Sequence, residues 1–172
     1  MANVILWIVL LVWLLVCMIY DLRTRQVPAK LTFIPLAASG IYSLFLQAWT
    51  PVILTGSLIL ISDFEPRSKR LAFAAVVASF MAIFDPTRLV QVAALFTIWL
   101  LWEVGAMGGA DAKLLIVIAL VISHPVVFVF IGLAGGIQGL TGLVLRRKEI
   151  PYIVAIFAGS SLYVLNTMVF KI

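Results

Sequence analysis

Long apolar runs alternate with short polar breaks along almost the whole sequence. A bilayer core about 30 Å thick needs roughly 20 apolar residues per helix, so each run predicts a membrane-spanning helix. The breaks place these segments at 4–20, 31–48, 49–62, 71–84, 87–104, 112–124, 125–145 and 150–170. The pattern therefore predicts an all-α polytopic membrane protein, a bundle of about eight transmembrane helices that forms a single domain over residues 1–172.

Two neighbouring segments, 49–62 and 71–84, are short for a bilayer. At 1.5 Å per residue, a run of about 14 residues reaches only about 21 Å. These segments can be short or tilted helices, or parts of a re-entrant hairpin. Removing both as one hairpin leaves six transmembrane helices and keeps every other loop on its side, so eight and six spans both stay open.

The composition agrees with a lipid environment. Hydrophobic residues make up 65% of the chain and charged residues only 11%, and the mean hydropathy is +1.23, which together exclude a sizeable water-soluble domain. The first run has no positive charge before it and no small-residue cleavage site after it, which favours a retained helix over a signal peptide. Cys17 is the only cysteine, which excludes disulfides within the chain and cysteine-ligated zinc sites.

The basic residues indicate the orientation of the chain. With the N-terminus outside, the inner loops are 21–30, 63–70, 105–111 and 146–149. All lysines and arginines except Arg88 and Lys171 lie in these loops or at the helix starts beside them. Cytoplasmic loops of membrane proteins carry such an excess of positive charge. The net charge of +5 is therefore explained by topology, and no nucleic-acid partner is expected.

Acidic residues near the spans are candidates for chemistry, because a carboxylate inside a bilayer is energetically costly. Four of the acids are expected to be solvated charges in loops: Asp63, Glu65, Asp85 and Glu149. Glu103 ends an apolar run shortly before Asp111. It either supports the groups that react or anchors its helix at the membrane interface, and the sequence leaves both possibilities open.

Asp21 and Asp111 are 90 positions apart but are predicted at the same membrane face. Asp111 follows Gly108, Gly109 and Ala110, small residues that let a backbone approach a substrate, and it opens a helix whose N-terminal dipole favours a negative charge. Asp21 ends the first span, where the helix dipole disfavours its charge. Taken separately, Asp111 is equally well explained as a helix N-cap and Asp21 as an interfacial residue.

Two local sequences favour a joint role. The segment Asp21-Leu-Arg-Thr-Arg-Gln-Val-Pro-Ala-Lys-Leu-Thr32 resembles the first aspartate motif of the type IV prepilin and preflagellin peptidases, an Asp followed by Ile/Val-Pro and Leu-Thr. The segment Gly108-Gly109-Ala110-Asp111-Ala112-Lys113-Leu114 is similar to their second motif, GxGD followed by x-Lys-Leu. Two motifs in the right order are a specific signal, and the resemblance covers residues 4 to about 130.

The resemblance implies an intramembrane aspartic endopeptidase with Asp21 and Asp111 as its catalytic pair and with no metal or other cofactor. It implies that the remaining motif residues bind substrate or shape the site: Pro28, Gly108, Gly109, Ala110 and Lys113. Lys113 follows Asp111 by two positions, so it is expected to face away and to snorkel towards the interface. Helix polarity assigns Asp111 as the base and Asp21 as the proton carrier.

The implied substrate is a pilin-like or archaellin-like precursor with a short basic leader and a hydrophobic helix. Cleavage is expected at their junction, at the cytoplasmic face of the cell membrane. The flexible stretch from Gly105 to Gly109 is expected to accommodate an extended substrate segment. Membrane lipid is the other expected partner, and the sequence does not indicate an oligomeric state.

Some positions depart from the family pattern. Ala110 replaces the second glycine of GxGD, Ala29 follows Pro28 where many members have Asn, and the interval between the motifs is long enough for an additional hairpin. The chain also lacks the cysteine-containing cytoplasmic domain of the bifunctional enzymes, so methylation of the product is not expected.

Two further features concern packing. Gly132 with Gly136, and Gly135 with Gly139, form small-xxx-small pairs that predict close approach of another helix. His124 and Pro125 predict a helix break at the outer face.

Other functions remain compatible with the two aspartates. A small transporter or channel subunit would use them to bind a cation or to relay protons, but it would also be expected to carry polar groups near the bilayer midplane, where these spans have almost none. A non-catalytic assembly protein on the same scaffold is the third possibility.

Overall fold

A computed structural model describes residues 2–122, 124–145 and 151–170. The predictions for Glu149, Lys171 and the basic residues at 146–148 lie outside these ranges. The described residues form eight α-helices: α1 Ala2–Thr24, α2 Ala29–Phe45, α3 Trp49–Ile61, α4 Arg67–Phe84, α5 Leu89–Glu103, α6 Gly109–Val121, α7 Val126–Val144 and α8 Tyr152–Phe170. A 3-10 turn, Pro86–Arg88, links α4 to α5. The predicted all-helical fold is confirmed, and each predicted segment corresponds to one helix.

Two of the described helices are long and apolar enough to cross a membrane, residues Val4–Thr24 of α1 and all of α7. Helix α4 and the segment Pro86–Glu103 are together long and apolar enough for one more span. The two parts are bent by 114° relative to each other, as in a broken span or a re-entrant loop. The apolar helices α2 and α3 and the part Tyr152–Met168 of α8 are shorter. These helices fit a membrane protein, and the number of spans stays a prediction.

The chain divides into two compact units. The first unit contains the described residues of 1–31 and 126–172, and the second contains residues 32–125. In the first unit α7 and α8 pack side by side, and α1 packs against α8. Its core is apolar, with Leu14, Cys17, Val127, Ile131, Ile153 and Ile156 buried.

Gly159 of α8 lies at a close contact between α8 and α7 in the first unit. A β-carbon at this position would overlap Cα of Ile131 and lie 2.6 Å from its backbone nitrogen, so only glycine fits against α7. The predicted small-xxx-small pairs contribute less, because only Gly135 meets a neighbour, the Tyr152 ring at 3.1 Å. No described atom comes within 4 Å of a β-carbon at Gly132, Gly136 or Gly139, so the close approach predicted there is absent from the described residues.

In the second unit α5 packs against α3, α4 and α6. Helix α6 forms the centre of this unit, because its residues are buried on every side from Leu114 to Leu120 except for the partly buried Ile116. A helix that is hydrophobic all round is buried in this way. Gln91 of α5 donates a hydrogen bond from Nε2 to the carbonyl oxygen of Ala119, over 2.6 Å, which joins two apolar helices by a buried polar contact.

Candidate active site

Asp21 lies in the last turn of α1 and is partly exposed. Its carbonyl oxygen accepts a hydrogen bond from the backbone N–H of Arg25, over 2.9 Å, and Arg25 adopts a left-handed backbone with φ +56°. A residue in this conformation commonly ends a helix. The chain therefore leaves α1 after Thr24, so Asp21 lies within the last turn of the helix.

Pro28 directly precedes α2 and takes part in its first turn. Its carbonyl oxygen accepts a hydrogen bond from the N–H of Leu31, over 2.9 Å. The indole Nε1 of Trp13, in the middle of α1, donates to the carbonyl oxygen of Leu31 over 2.8 Å. The first motif is therefore a tight turn between two helices, and Trp13 fixes the beginning of α2 against α1.

Asp111 lies in the first turn of α6 and is partly buried. Gly108 caps this helix with an extended backbone, φ −67° and ψ 148°, and accepts a hydrogen bond from the N–H of Ala112 over 3.0 Å. A β-carbon at Gly108 would lie 3.1 Å from Oδ2 of Asp111. The carboxylate thus turns back over the helix start, where the dipole stabilises a negative charge. Ala110 lies between these two residues and adds only a methyl group to the first turn of α6.

Lys113 faces another side of α6. Its Nζ lies 4.0 Å from the ring centroid of Phe33, a cation–π contact to α2. A cavity of about 380 Å³ in the second unit is lined from α6 by Gly109, Ala112, Lys113 and Ile116, and by residues of α2, the carboxyl ends of α3 and α5, and Asp63. These four positions of α6 share one helix face, and Asp111 is not among the lining residues. This geometry agrees with the expectation that Lys113 faces away from Asp111.

Glu103, the last residue of α5, is almost completely buried, with 4% of its side chain exposed. Its carboxylate forms an ion pair with Arg70 of α4, and Nε of Arg67 lies 3.5 Å from the same carboxylate oxygen. The sequence left the role of Glu103 open and gave no indication of these partners, because no periodicity connects residues more than 30 positions apart. The signal available was the pair of arginines one helical turn apart in the same predicted inner loop.

The remaining acids of the second unit behave in two ways. Asp63 and Glu65 are exposed, as predicted for solvated charges. Asp85 is instead held by neighbours, since its carboxylate accepts hydrogen bonds from the hydroxyls of Thr87 and Thr50 and lies 3.3 Å from Nε of Arg88. The hydrogen bonds from Thr87 and Thr50 are the main reason that the pKa of Asp85 is lowered. Asp85 is therefore a partly exposed charge in the predicted turn, and hydrogen bonds and an ion pair hold it in addition to solvent.

Asp21 belongs to the first compact unit and Asp111 to the second. Their action as a pair stays a prediction. Within the ranges that the structure covers, no group of three His, Cys, Asp or Glu side chains is placed to hold a metal ion.

The family comparison covers both motifs. Residues 8–144 match the model of the Type IV leader peptidase family, which is more than half of the chain and includes Asp21 and Asp111. No curated protein and no solved structure gave a match.

Proposed function

Because the chain belongs to the type IV leader peptidase family, we propose that it is an intramembrane aspartic endopeptidase whose catalytic residues are Asp21 and Asp111. The family match over both motifs is the observation that carries the proposal. The helix positions of the two residues support it, with Asp111 in the first turn of α6 and Asp21 in the last turn of α1. In this proposal the whole chain acts as one peptidase domain.

Hydrolysis by two carboxylates needs one ionised and one protonated group. The amino end of α6 favours the ionised form of Asp111, and the carboxyl end of α1 favours the protonated form of Asp21. Asp111 then takes a proton from water while the water oxygen bonds to the scissile carbonyl carbon and Asp21 gives its proton to the carbonyl oxygen. When the C–N bond breaks, the proton on Asp111 passes to the leaving amine and Asp21 recovers its own from the hydroxyl oxygen. Because the two carboxyl groups would interact, their measured pKa values would describe the pair and not either residue alone.

The proposed substrate is a pilin-like or archaellin-like precursor, cut between its short basic leader and its hydrophobic helix. The excess of basic residues in the predicted inner loops supports a site at the cytoplasmic face of the cell membrane. The loop that precedes Asp111 is open at Gly105, where an added β-carbon would meet no neighbouring atom within 4 Å, and we propose that an extended substrate segment lies along this loop.

The decisive experiment co-expresses the chain with a pilin-like precursor and follows the precursor's size. Asp21→Asn and Asp111→Asn each keep the side-chain shape but remove the acid. The matched control is Asp63→Asn, because Asp63 is exposed and is predicted at the same membrane face. We expect processing by the wild type and by the control, and none by either catalytic variant. Processing that persists without one of the two acids would exclude the pair mechanism.

A labelling experiment tests orientation and span number together. The only native thiol, Cys17, is buried, so an introduced cysteine reports its own position. Ser68 and Thr87 are both exposed and lie at opposite ends of α4. With eight spans, an impermeant thiol reagent labels Thr87→Cys in intact cells and Ser68→Cys only after lysis. Labelling of both from outside would support the six-span arrangement.

A further inference from the structure

The carboxyl end of α5 is closed by a defined capping motif. Gly105 adopts a left-handed backbone with φ +79°, its N–H donates to the carbonyl oxygen of Trp102, and the N–H of Ala106 donates to that of Leu101. These two hydrogen bonds form a Schellman motif. The motif leaves the carbonyl oxygen of Glu103 open, and Nη2 of Arg67 donates to it over 2.6 Å.

Each charged side chain of this cluster lies at a helix end whose dipole disfavours its charge, so each needs the opposite charge beside it. The carboxylate of Glu103 lies at the negative end of the α5 dipole, whereas Arg67 and Arg70 lie in the first turn of α4, at the positive end of its dipole. A buried carboxylate needs paired charges and hydrogen bonds to compensate for lost hydration. The two arginines supply both, so the three residues stabilise one another.

The same cluster reaches a third helix. Nη1 of Arg70 donates to the carbonyl oxygen of Ser62, directly after α3, over 2.7 Å. Nε1 of Trp99 donates to the Ser62 hydroxyl over 3.1 Å, and this hydroxyl donates to the carbonyl oxygen of Leu58 over 2.7 Å. The carboxyl ends of α3 and α5 are thus joined to the amino end of α4.

We infer that Glu103, with Arg67 and Arg70, is a positioning cluster that sets where α6 begins and therefore where the Asp111 carboxylate lies. This inference rests on the proposed function. These residues do not react; they act through the chain that connects α5 to α6.

The connection is short enough to transmit a displacement. Four residues, from Val104 to Met107, separate Glu103 from the helix cap Gly108. Trp102 also lies beside the start of α6, because Trp102 and Gly109 line the same cavity and a β-carbon added at Gly109 would lie 3.4 Å from Nε1 of Trp102. The end of α5 is therefore close to the start of α6 in space as well as along the chain.

The test compares two ion pairs of the same compact unit. Glu103→Gln removes the charge of the cluster, and the matched control Asp85→Asn removes the charge of the pair with Arg88 in the turn before α5, away from Asp111 in the sequence. Purified enzyme in detergent is assayed for kcat and KM on a precursor peptide, and thermal unfolding is measured for each variant. Asp111→Asn defines the background.

We expect both charge variants to unfold at a lower temperature than the wild type. Only Glu103→Gln is expected to lower kcat, by about tenfold or more, because small displacements of reacting groups have large effects on rate. Its KM should change by less than about twofold. Arg67→Lys keeps the charge but loses the fork that reaches the Glu103 carbonyl, and we expect an intermediate kcat. The kcat of Arg67→Lys also tests the inference if Glu103→Gln does not fold.

Wild-type values of kcat in folded Glu103→Gln, or in Arg67→Lys when Glu103→Gln does not fold, would overturn the inference. An equal loss of kcat in Asp85→Asn would do the same, because it would reduce the effect to general destabilisation. Failure of the proposed function looks different: the wild type does not cleave, or Asp111→Asn cleaves as well as the wild type.

Discussion

Gly108 and the Asp111 carboxylate are so close that a β-carbon on Gly108 would lie 3.1 Å from Oδ2. The backbone of Gly108 has φ −67°, which any residue can adopt. The glycine is therefore needed for the space that it leaves beside the carboxylate. This differs from Gly105, whose left-handed backbone itself favours glycine.

Gly108→Ala is expected to reduce cleavage by about tenfold, because the carboxylate must shift by a few tenths of an ångström. Gly56→Ala in α3 is the matched control, since a β-carbon there would meet no neighbouring side chain or other element within 4 Å. The measurement is kcat on a precursor peptide for both variants. Equal kcat values would show that Asp111 tolerates the displacement.

Gly159→Ala is expected to lower the free energy of unfolding by about 1–3 kcal/mol, because the added methyl overlaps the backbone of α7 at Ile131. Gly136→Ala, where no described atom lies within 4 Å, is expected to change it by less than about 0.5 kcal/mol. Thermal unfolding in detergent compares the two. A neutral Gly159→Ala would contradict the close contact between α7 and α8.

The lowered pKa of Asp85 predicts a stability that depends on acidic pH. The folded-state pKa lies below the unfolded one, mainly because Thr87 and Thr50 donate hydrogen bonds to the carboxylate. Its contribution is present above the unfolded pKa, about 3.9, and is lost as the pH falls through the folded pKa. The stability difference between the wild type and Asp85→Asn should therefore shrink on acidification. The unfolding temperatures of both proteins are measured as the pH is lowered through this range. A difference between them that does not change with pH would contradict the prediction.

Lys113→Met is expected to destabilise the protein slightly, because a cation–π contact of this kind contributes about 0.5–1 kcal/mol. Its effect on kcat should stay below about tenfold, since Lys113 packs against Phe33 and lines the cavity on the α6 face that excludes Asp111. Unfolding temperature and kcat are measured together. A loss of kcat far beyond this range at unchanged stability would place Lys113 beside the reacting groups.

Hydropathy predicted the helices well because an apolar run that avoids water must satisfy its own backbone hydrogen bonds, and a helix does so within the run. The predicted segment at 49–62 became α3, Trp49–Ile61, and the break at His124 and Pro125 falls between α6 and α7. The turn between segments 71–84 and 87–104 was also predicted, but its angle of 114° was not, because hydropathy does not report the local turn or the packing that set it.

The aspartate motifs also located the helix ends on which Asp21 and Asp111 lie, since motif spacing is a local property. The Glu103 cluster depends on residues brought together from α3, α4 and α5, so neither spacing nor composition revealed it. Gly159 was missed for a related reason. Ala155 and Gly159 form a small-xxx-small pair in α8, but only the packing of α7 against this helix shows that Gly159 has no room for a side chain.

The division of the chain into two units also orders its synthesis. The second unit is continuous in sequence, from residue 32 to residue 125, so a ribosome completes it before α7 and α8 have been made. Helix α1 is made first but packs against α8, and it must wait for that partner until the second unit has been translated. Asp21 therefore lies on a helix whose packing in the first unit is completed only after the whole second unit has been synthesised.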